Sequence, residues 1–487
     1  MRTSIIMEKI FDSVQELDRR AEEAFNLKHG VLMEQAARGI AEHIRRYLNS
    51  ERFRKERVRR TDGLPVVQIV CGSGDNGGDG FALARMLTDF CTVRTVSVKE
   101  PKSPLCKLQR ERLELLGIPV YTEIADTCDV LVDAVLGTGL QGILNEALCA
   151  VIEQLNAVHA YKIACDIPSG LNGWGIPSPQ AFCADATCTM GALKTALYAD
   201  AAKDCTGTIH LINLGLPRVQ YEGETETFLL TEADMRLPHR TVQNTHKMSY
   251  GHCFFFCGEK TGACVLAATA ALRFGTGLVT VYGETISSAP PDFMYSAQMP
   301  ENISAVSIGS GLGRSAAQQE KAVEFLQNTA VQAKPLILDA DILHNDKLPV
   351  LLPRFKQPVL TPHPKEFHSL LLNSGLAQPS VSEIQERRFF YLRLFCTAFP
   401  HAVVLLKGAY PLIGCGSRIF VNPCGTNALA KAGTGDVLTG MITALAAQGY
   451  SPLDAACTAS LAHAKAAAGS GYGLLASDLT CRIADLI

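Results

Sequence analysis

The chain has 487 residues, 47% of them hydrophobic and 19% charged, with a formal net charge of -3. That length suits two or three domains with their own cores, and the composition excludes a disordered chain. The near-neutral balance gives no general attraction to nucleic acid or an anionic membrane, and no apolar stretch approaches a membrane span.

Seventeen cysteines is an odd number, and no C-x-x-C pair occurs. Several, such as Cys71, Cys165 and Cys257, sit within or beside apolar strand-like runs. Buried reduced thiols account for this better than a disulfide framework or a zinc site. The N-terminus lacks the uninterrupted apolar region of a secretory signal, so a cytoplasmic location is the expectation. The one basic cluster, residues 52–60 (RFRKERVRR), reads as a solvated helix end and its loop, because no aromatic stacking platform accompanies it.

Residues 8–48 carry apolar positions at helical spacing, from Ile10, Val14 and Leu17 to Leu32, Met33, Ala36 and Ile40, and predict amphipathic helices. The β-branched run 66–70 (VVQIV) predicts a buried parallel strand. It breaks into the glycine-rich loop 71–80, and a helix resumes over 81–89. Strand, glycine loop and helix is the arrangement that binds a phosphate or nucleotide at the carboxyl end of a sheet. The oxygens of Asp75, Asn76 and Asp79 in that loop suggest a cation or polar ring system beside the phosphates. Further strands are predicted at 93–98, 130–132 and 162–165, with helices over 105–116 and 145–156. Two of those strands run into DAVLGTG (133–139) and DIPSGLN (166–172). Each such acid alone reads as a helix cap or turn former. Three at the same edge of neighbouring strands favour a site.

These motifs, with ELDRRA (16–21) and LMEQAA (32–37), resemble the NAD(P)H-hydrate epimerase family over roughly residues 8–225. The resemblance implies a Rossmann-like α/β/α layer that interconverts the C6 epimers of hydrated nicotinamide nucleotides. It implies a potassium ion (K+) held by Asn76, Asp133 and Ser169. Substrate contacts would come from Asp75, Asn76, Gly77, Gly78 and Asp79, from the turn Gly137, Thr138, Gly139, Leu140, Gln141, Gly142 and Ile143, and from Asp166. Asp166 would handle the proton.

Strand-like segments at 209–214 and 227–230 close the first domain, and the polar segment 231–247 reads as the junction. A second βα rhythm follows. Strands at 252–257, 278–282, 306–308, 336–338, 359–360 and 403–406 each lead into a turn, which predicts a parallel sheet with helices on both faces. Near its end, Gly433-Thr434-Gly435-Asp436 opens an apolar helix. The glycines let successive N–H groups converge, the helix start adds positive charge, and Asp436 stands where a carboxylate can take a proton from a hydroxyl. A glycine turn whose Asp caps the helix is the competing reading. The Ala-rich segment 454–468 reads as a close-packing helix, and His463 within it as an ordinary helix residue.

The stretches GACVLAATAALRFGTGLVTV (262–281), IGSGLG (308–313), LDADIL (338–343), TPHPKEF (361–367), LLKGAYPLI (405–413) and NALAKAGTGDVLTG (427–440) resemble the ADP/ATP-dependent NAD(P)H-hydrate dehydratases. That family has a ribokinase-like fold. By this resemblance Lys407, Gly408, Ala409, Tyr410 and Pro411, with Thr426, Asn427, Ala428, Leu429, Ala430, Lys431, Ala432, Gly433, Thr434 and Gly435, would bind the donor, ADP or ATP with Mg2+. Ala263, Gly311, His363 and Asp436 would line the hydrate site, with Asp436 catalytic. Glu259 stands where that family commonly has a small hydroxyl residue.

The expected architecture is α/β, with two three-layer α/β/α domains. Residues 1–230 form a Rossmann-like epimerase and residues 231–487 a ribokinase-like dehydratase. Together they repair hydrated NADH and NADPH (NADHX and NADPHX). Expected partners are these small molecules, with no nucleic acid and no membrane, and the chain is expected to form a homo-oligomer. The alternative is a ribokinase-like kinase for a vitamin precursor or sugar, fused to a non-catalytic Rossmann-like module.

Overall fold

The computed structural model describes residues 7–57, 63–140 and 142–487. The chain divides into two compact units, one built on Lys9–Thr225 and the other on Glu226–Ile487.

The first unit holds a seven-stranded sheet whose strands, among the described residues, all pair in parallel. At its centre Val66–Cys71 lies between Thr92–Ser97 and Thr127–Ala134, and His159–Cys165 and Ala186–Met190 extend the latter side. Alternation along the strands assigns side chains to two layers. Val67, Ile69, Val130 and Val132 pack with Ile40, Ile44 and Phe81, whereas Val70 and Leu131 pack with Leu155 and Phe182 on the opposite face. Helices therefore cover both faces, and a side chain such as the fully buried Phe81 contributes about 3 kcal/mol. Local signals set helix starts: Asn145 caps Glu146–Ala157 by accepting from the Leu148 N–H at 3.0 Å.

Three elements differ from the sequence reading. Ile10 belongs to a strand, Glu8–Phe11, which pairs with Leu193–Lys194; the helices begin only at Gln15. The predicted loop 71–80 is half helix, since Asp75–Leu87 is continuous. Its glycines are there for close packing: a Cβ on Gly77 would lie 2.1 Å from the Gly72 carbonyl oxygen. Glycine's poor helix propensity makes such a segment read as loop, and tertiary packing overrides it. Thr227–Leu229, expected to close the first domain, instead pairs in parallel with Arg418–Val421 of the second unit. Of the basic cluster, Glu51–Arg57 is helical, while residues 58–62 lie outside the described residues.

In the second unit Met294–Ser296, Leu278–Tyr282, His252–Phe256, Ala305–Ile308, Leu336–Leu338, Pro358–Leu360 and Val403–Leu406 lie side by side in parallel. The antiparallel hairpin Leu412–Cys415 and Arg418–Val421, which periodicity did not reveal, extends the sheet. One face packs on Thr261–Arg273, Thr434–Ala447, Pro452–Ala467 and Ala476–Ala484. On the other, Phe254 and Phe256 meet Phe325 at 5.7 and 4.8 Å between ring centroids. Thr434–Ala447 is apolar all round because it is buried all round. Among the described residues no helix is long and apolar enough to cross a membrane.

Candidate active sites

In the first unit, four adjacent strands end at one edge and deliver the acids there. Val66–Cys71 leads to Asp75, Asn76 and Asp79, and Thr127–Ala134 carries Asp133 and the turn after it. His159–Cys165 leads to Asp166, and Ala186–Met190 leads to Lys194. Between this edge and the first helices lies a cleft of about 540 Å³, lined in part by Asp75, Asn76, Asp79, Gly137, Thr138, Gly139 and Asp166. Gly77 and Gly78 are buried in the helix behind it. Leu140, Gly142 and Ile143 lie beyond the lining, with Ile143 79% exposed, and Gln141 is outside the described residues. Trp174 sits on the exposed loop after Asp166, outside the lining.

Asp166 has a left-handed backbone, φ 70°, in the region that costs a non-glycine residue energy. Its Oδ1 accepts from the Lys194 ammonium at 2.7 Å and from the Met190 N–H at 3.2 Å. Lys194 is itself only 2% exposed and also donates to Thr189 Oγ1 and the Met190 carbonyl. Asp79 is buried, and desolvation with the charges of Asp166, Asp75 and Asp18 pushes its carboxyl far above the usual range.

Asp133 is fully buried. Its oxygens accept from Ser169 Oγ at 2.6 Å, Ser169 N–H at 2.8 Å and Val135 N–H at 3.1 Å. Desolvation outweighs these bonds and raises its carboxyl to about 6, with no cationic partner among the described residues. The Asn76 side chain lies against Gly137, and its buried Nδ2 has no hydrogen-bond partner among the described residues. The Asp133 carboxylate, the Ser169 hydroxyl and the Asn76 Oδ1, rather than its Nδ2, are the oxygens that would suit a hard cation.

The second site is built the same way. Gly309, Asp339, His363 and Lys407 follow the ends of four adjacent parallel strands, and the Gly433–Asp436 turn joins them from the start of a helix. Gly433 has φ 87°. The Thr434 hydroxyl donates to the Leu429 and Lys431 carbonyls at 2.8 and 2.9 Å, which pins the turn. Lys407 Nζ lies 3.3 Å from the place a Cβ on Gly435 would take, so its charge adds to the N–H groups there. That ammonium donates to Asp339 Oδ1 at 2.6 Å, and the hydroxyls of Thr361 and Thr439 donate to Asp339 at 2.8 Å each.

Burial, and then the charge of Asp339, raises the Asp436 carboxyl to about 6, against the pull of Lys407. Ala263 and Gly311 are neighbours: a Cβ on Gly311 would lie 3.2 Å from that of Ala263. His363 caps Pro364–Asn373, its Nδ1 accepting from the N–H groups of Lys365 and Glu366, while Nε2 lies 3.2 Å from Glu366. Glu366 is buried and pushed up to about 7 by desolvation. The predicted donor segments are mixed. Gly408, Ala409, Asn427, Ala430, Lys431 and Ala432 are exposed, whereas Tyr410, Ala428 and Thr434 are buried. Glu259 is on the surface and bonds the Ser315 hydroxyl.

Sequence reasoning missed the residues that hold these groups. Lys194, Asp18 and Tyr221 stand at or beside the first site, and Asp339, Arg388 and His463 brace the second. The Arg388 guanidinium, 3% exposed, donates to the Leu406, Lys407 and Tyr410 carbonyls at 2.9, 3.0 and 2.9 Å, shaping the loop after Lys407. His463 Nε2 donates to the Thr434 carbonyl at 2.9 Å, and burial pushes this imidazole down to about 4, so it is neutral. The available signal was Asp339 itself, an acid closing an apolar run as Asp133 does. Among the described residues no three His, Cys, Asp or Glu side chains converge as a metal cage. Mg2+ carried mainly by phosphate oxygens with one or two carboxylates needs none, so the site fits it.

Comparison with known proteins agrees with this two-site plan. A family model described as NAD(P)H-hydrate dehydratase matches residues 255–487, and one described as YjeF-related protein N-terminus matches residues 29–196. A bifunctional NAD(P)H-hydrate repair enzyme of Helicobacter pylori is 38% identical, covering 99% of this chain and 100% of its own. That of Escherichia coli is 33% identical, covering 84% of this chain and 83% of its own. A solved ADP/ATP-dependent NAD(P)H-hydrate dehydratase from Bacillus subtilis, co-crystallised with ATP and Mg2+, is 28% identical, with a TM-score of 0.44. It covers 52% of this chain and 94% of its own. With full-length identity above 30% and both halves matched in order, the chain belongs to the family of bifunctional NAD(P)H-hydrate repair enzymes.

Proposed function

We propose that the chain repairs hydrated NADH and NADPH in two steps, with the unit built on Lys9–Thr225 as the epimerase and the unit built on Glu226–Ile487 as the dehydratase. The first site exchanges the two C6 epimers. The second uses ADP or ATP to dehydrate the (6S) form, and the first keeps it supplied. The observation that carries the reading is the meeting of Asp436, Lys407 and the Gly433–Gly435 turn at one sheet edge.

Hydroxide is a poor leaving group, so the C6 hydroxyl is first phosphorylated. Asp436 accepts the hydroxyl proton; a carboxyl near 6 is ionised at neutral pH and still basic enough to receive it. Backbone N–H groups of the turn and the Lys407 ammonium stabilise charge on the moving phosphoryl group. Mg2+, when bound with the nucleotide, neutralises phosphate charge. The ring nitrogen's lone pair then expels phosphate to leave an N=C6 iminium, and loss of a C5 proton to a base restores the dihydronicotinamide.

In the first site Asp166, paired with Lys194, handles the proton on the C6 oxygen. Asn76, Asp133 and Ser169 would hold K+, whose charge would hold substrate phosphate at the strand edge.

Product analysis tests the whole reading. Inorganic phosphate released in step with regained reduced-nicotinamide absorbance supports repair. A retained phosphoester would mean a kinase instead.

A further inference from the structure

The first cleft contains an acid that the repair reading does not use. Asp18, on the helix Gln15–Phe25, borders the cleft together with Asp166. Its Oδ1 accepts from the Tyr221 hydroxyl at 2.6 Å, across 203 residues of sequence. Its other carboxylate oxygen has no hydrogen-bond partner among the described residues. Tyr221 is 3% exposed. The ring fits only because residue 191 is glycine at φ 73°, since a Cβ there would lie 2.4 Å from the Tyr221 oxygen. The fold thus keeps space for a tyrosine whose hydroxyl positions one carboxyl on the cleft wall.

Inversion by loss and return of the hydroxyl calls for a second such group. C6 bears a hydroxyl and is bonded to the ring nitrogen, so it can invert without any redox change. The C6–O bond breaks with its electron pair going to oxygen, which takes a proton from an acid. The nitrogen lone pair forms an N=C6 double bond. Water then attacks the other face, gives its proton to a base, and the nitrogen recovers its pair. Acid and base stand on different sides of the ring and exchange roles in the reverse direction.

We propose, resting on the epimerase reading of this unit, that Asp18 is the second proton-transferring residue and works against Asp166. Asp166 and Lys194 come from the strand edge, and Asp18 from the helix that closes the cleft. Burial raises the Asp18 carboxyl, and the Asp166 charge acts in the same upward sense, against the Tyr221 hydrogen bond and the charges of Lys194 and His29.

The test uses the full chain, purified epimers of hydrated NADH, and water enriched in oxygen-18. Wild-type protein should take up one labelled oxygen at C6 per inversion. D18N should slow epimer exchange on the order of 10²-fold, and Y221F roughly tenfold. The melting transition of the first unit, read by calorimetry, reports whether each variant folds. If D18N misfolds, the Y221F rate decides. Exchange at the wild-type rate in D18N or in a folded Y221F, or inversion without label uptake, overturns the proposal. A wild-type chain that exchanges no epimers overturns the epimerase reading instead.

Discussion

Both units place a half-buried or buried lysine beside an acid where parallel strands end, but the lysine's partner differs. Lys194 bonds Asp166, the acid assigned to proton handling. Lys407 bonds Asp339 and leaves Asp436 largely shielded from water, with no direct ion pair among the described residues. A charge partner stabilises an ionised acid and weakens it as a base; burial without one does the reverse. The second arrangement suits removal of a proton from an alcohol. In the first, the partnered acid calls for another group of different electrostatics, and Asp18 is raised where Asp166 is paired.

The lysines give the most severe test of that contrast. K194M leaves Asp166 without its cation at 13% side-chain exposure, and K407M does the same to Asp339 at 2%. Each should cost about 3–5 kcal/mol in urea denaturation. In addition, K194M should abolish mainly epimer exchange and K407M mainly dehydration.

D436N should lower dehydration turnover on the order of 10²-fold while nucleotide binding changes little. Because the folded state holds this carboxyl near 6 rather than at its ordinary 3.8, the ionised form opposes folding above that range. D436N should therefore raise the melting temperature while it destroys activity.

The pH profile follows with its sign. Below about 6 Asp436 is protonated and cannot accept a proton, so dehydration turnover should fall tenfold per unit there and level off above. Stability from the same group runs the other way. The folded state binds the proton more tightly than the unfolded one, so this contribution declines as pH rises from about 4 to 6. Coincident rises of both would break the assignment of the base.

Smaller effects sharpen the comparison on the epimerase side. G77A places a methyl against the Gly72 carbonyl oxygen and should cost about 1–3 kcal/mol with dehydration retained. Replacing lithium by potassium should raise the melting temperature of that unit by a few degrees, and D133N should erase the difference, as differential calorimetry can read.

Much of the architecture was legible locally. Apolar runs such as VVQIV and VVLL became central strands, and Asn145 and Ser103 start helices where capping chemistry places them. Order along the chain also brought the motif acids to one edge, since parallel strands joined by right-handed crossovers align their carboxyl ends. The helix Asp75–Leu87 was hidden because glycines that serve packing look like loop. The hairpin 412–421 was hidden because its short runs sit between two motifs read for nucleotide binding.

By itself, then, the amino-acid order determined the two βα series, the glycine turns, and which acids stand at strand ends, all properties of backbone preference within a few residues. Only the tertiary structure decided which charges meet: Lys194 with Asp166 across 28 residues, Lys407 with Asp339 across 68, and Tyr221 with Asp18 across 203. Hydrogen bonds and ion pairs depend on separations of about 3 Å in space, which sequence distance does not encode. Desolvation likewise arises only once the layers close over Asp436, Asp133 and Asp18.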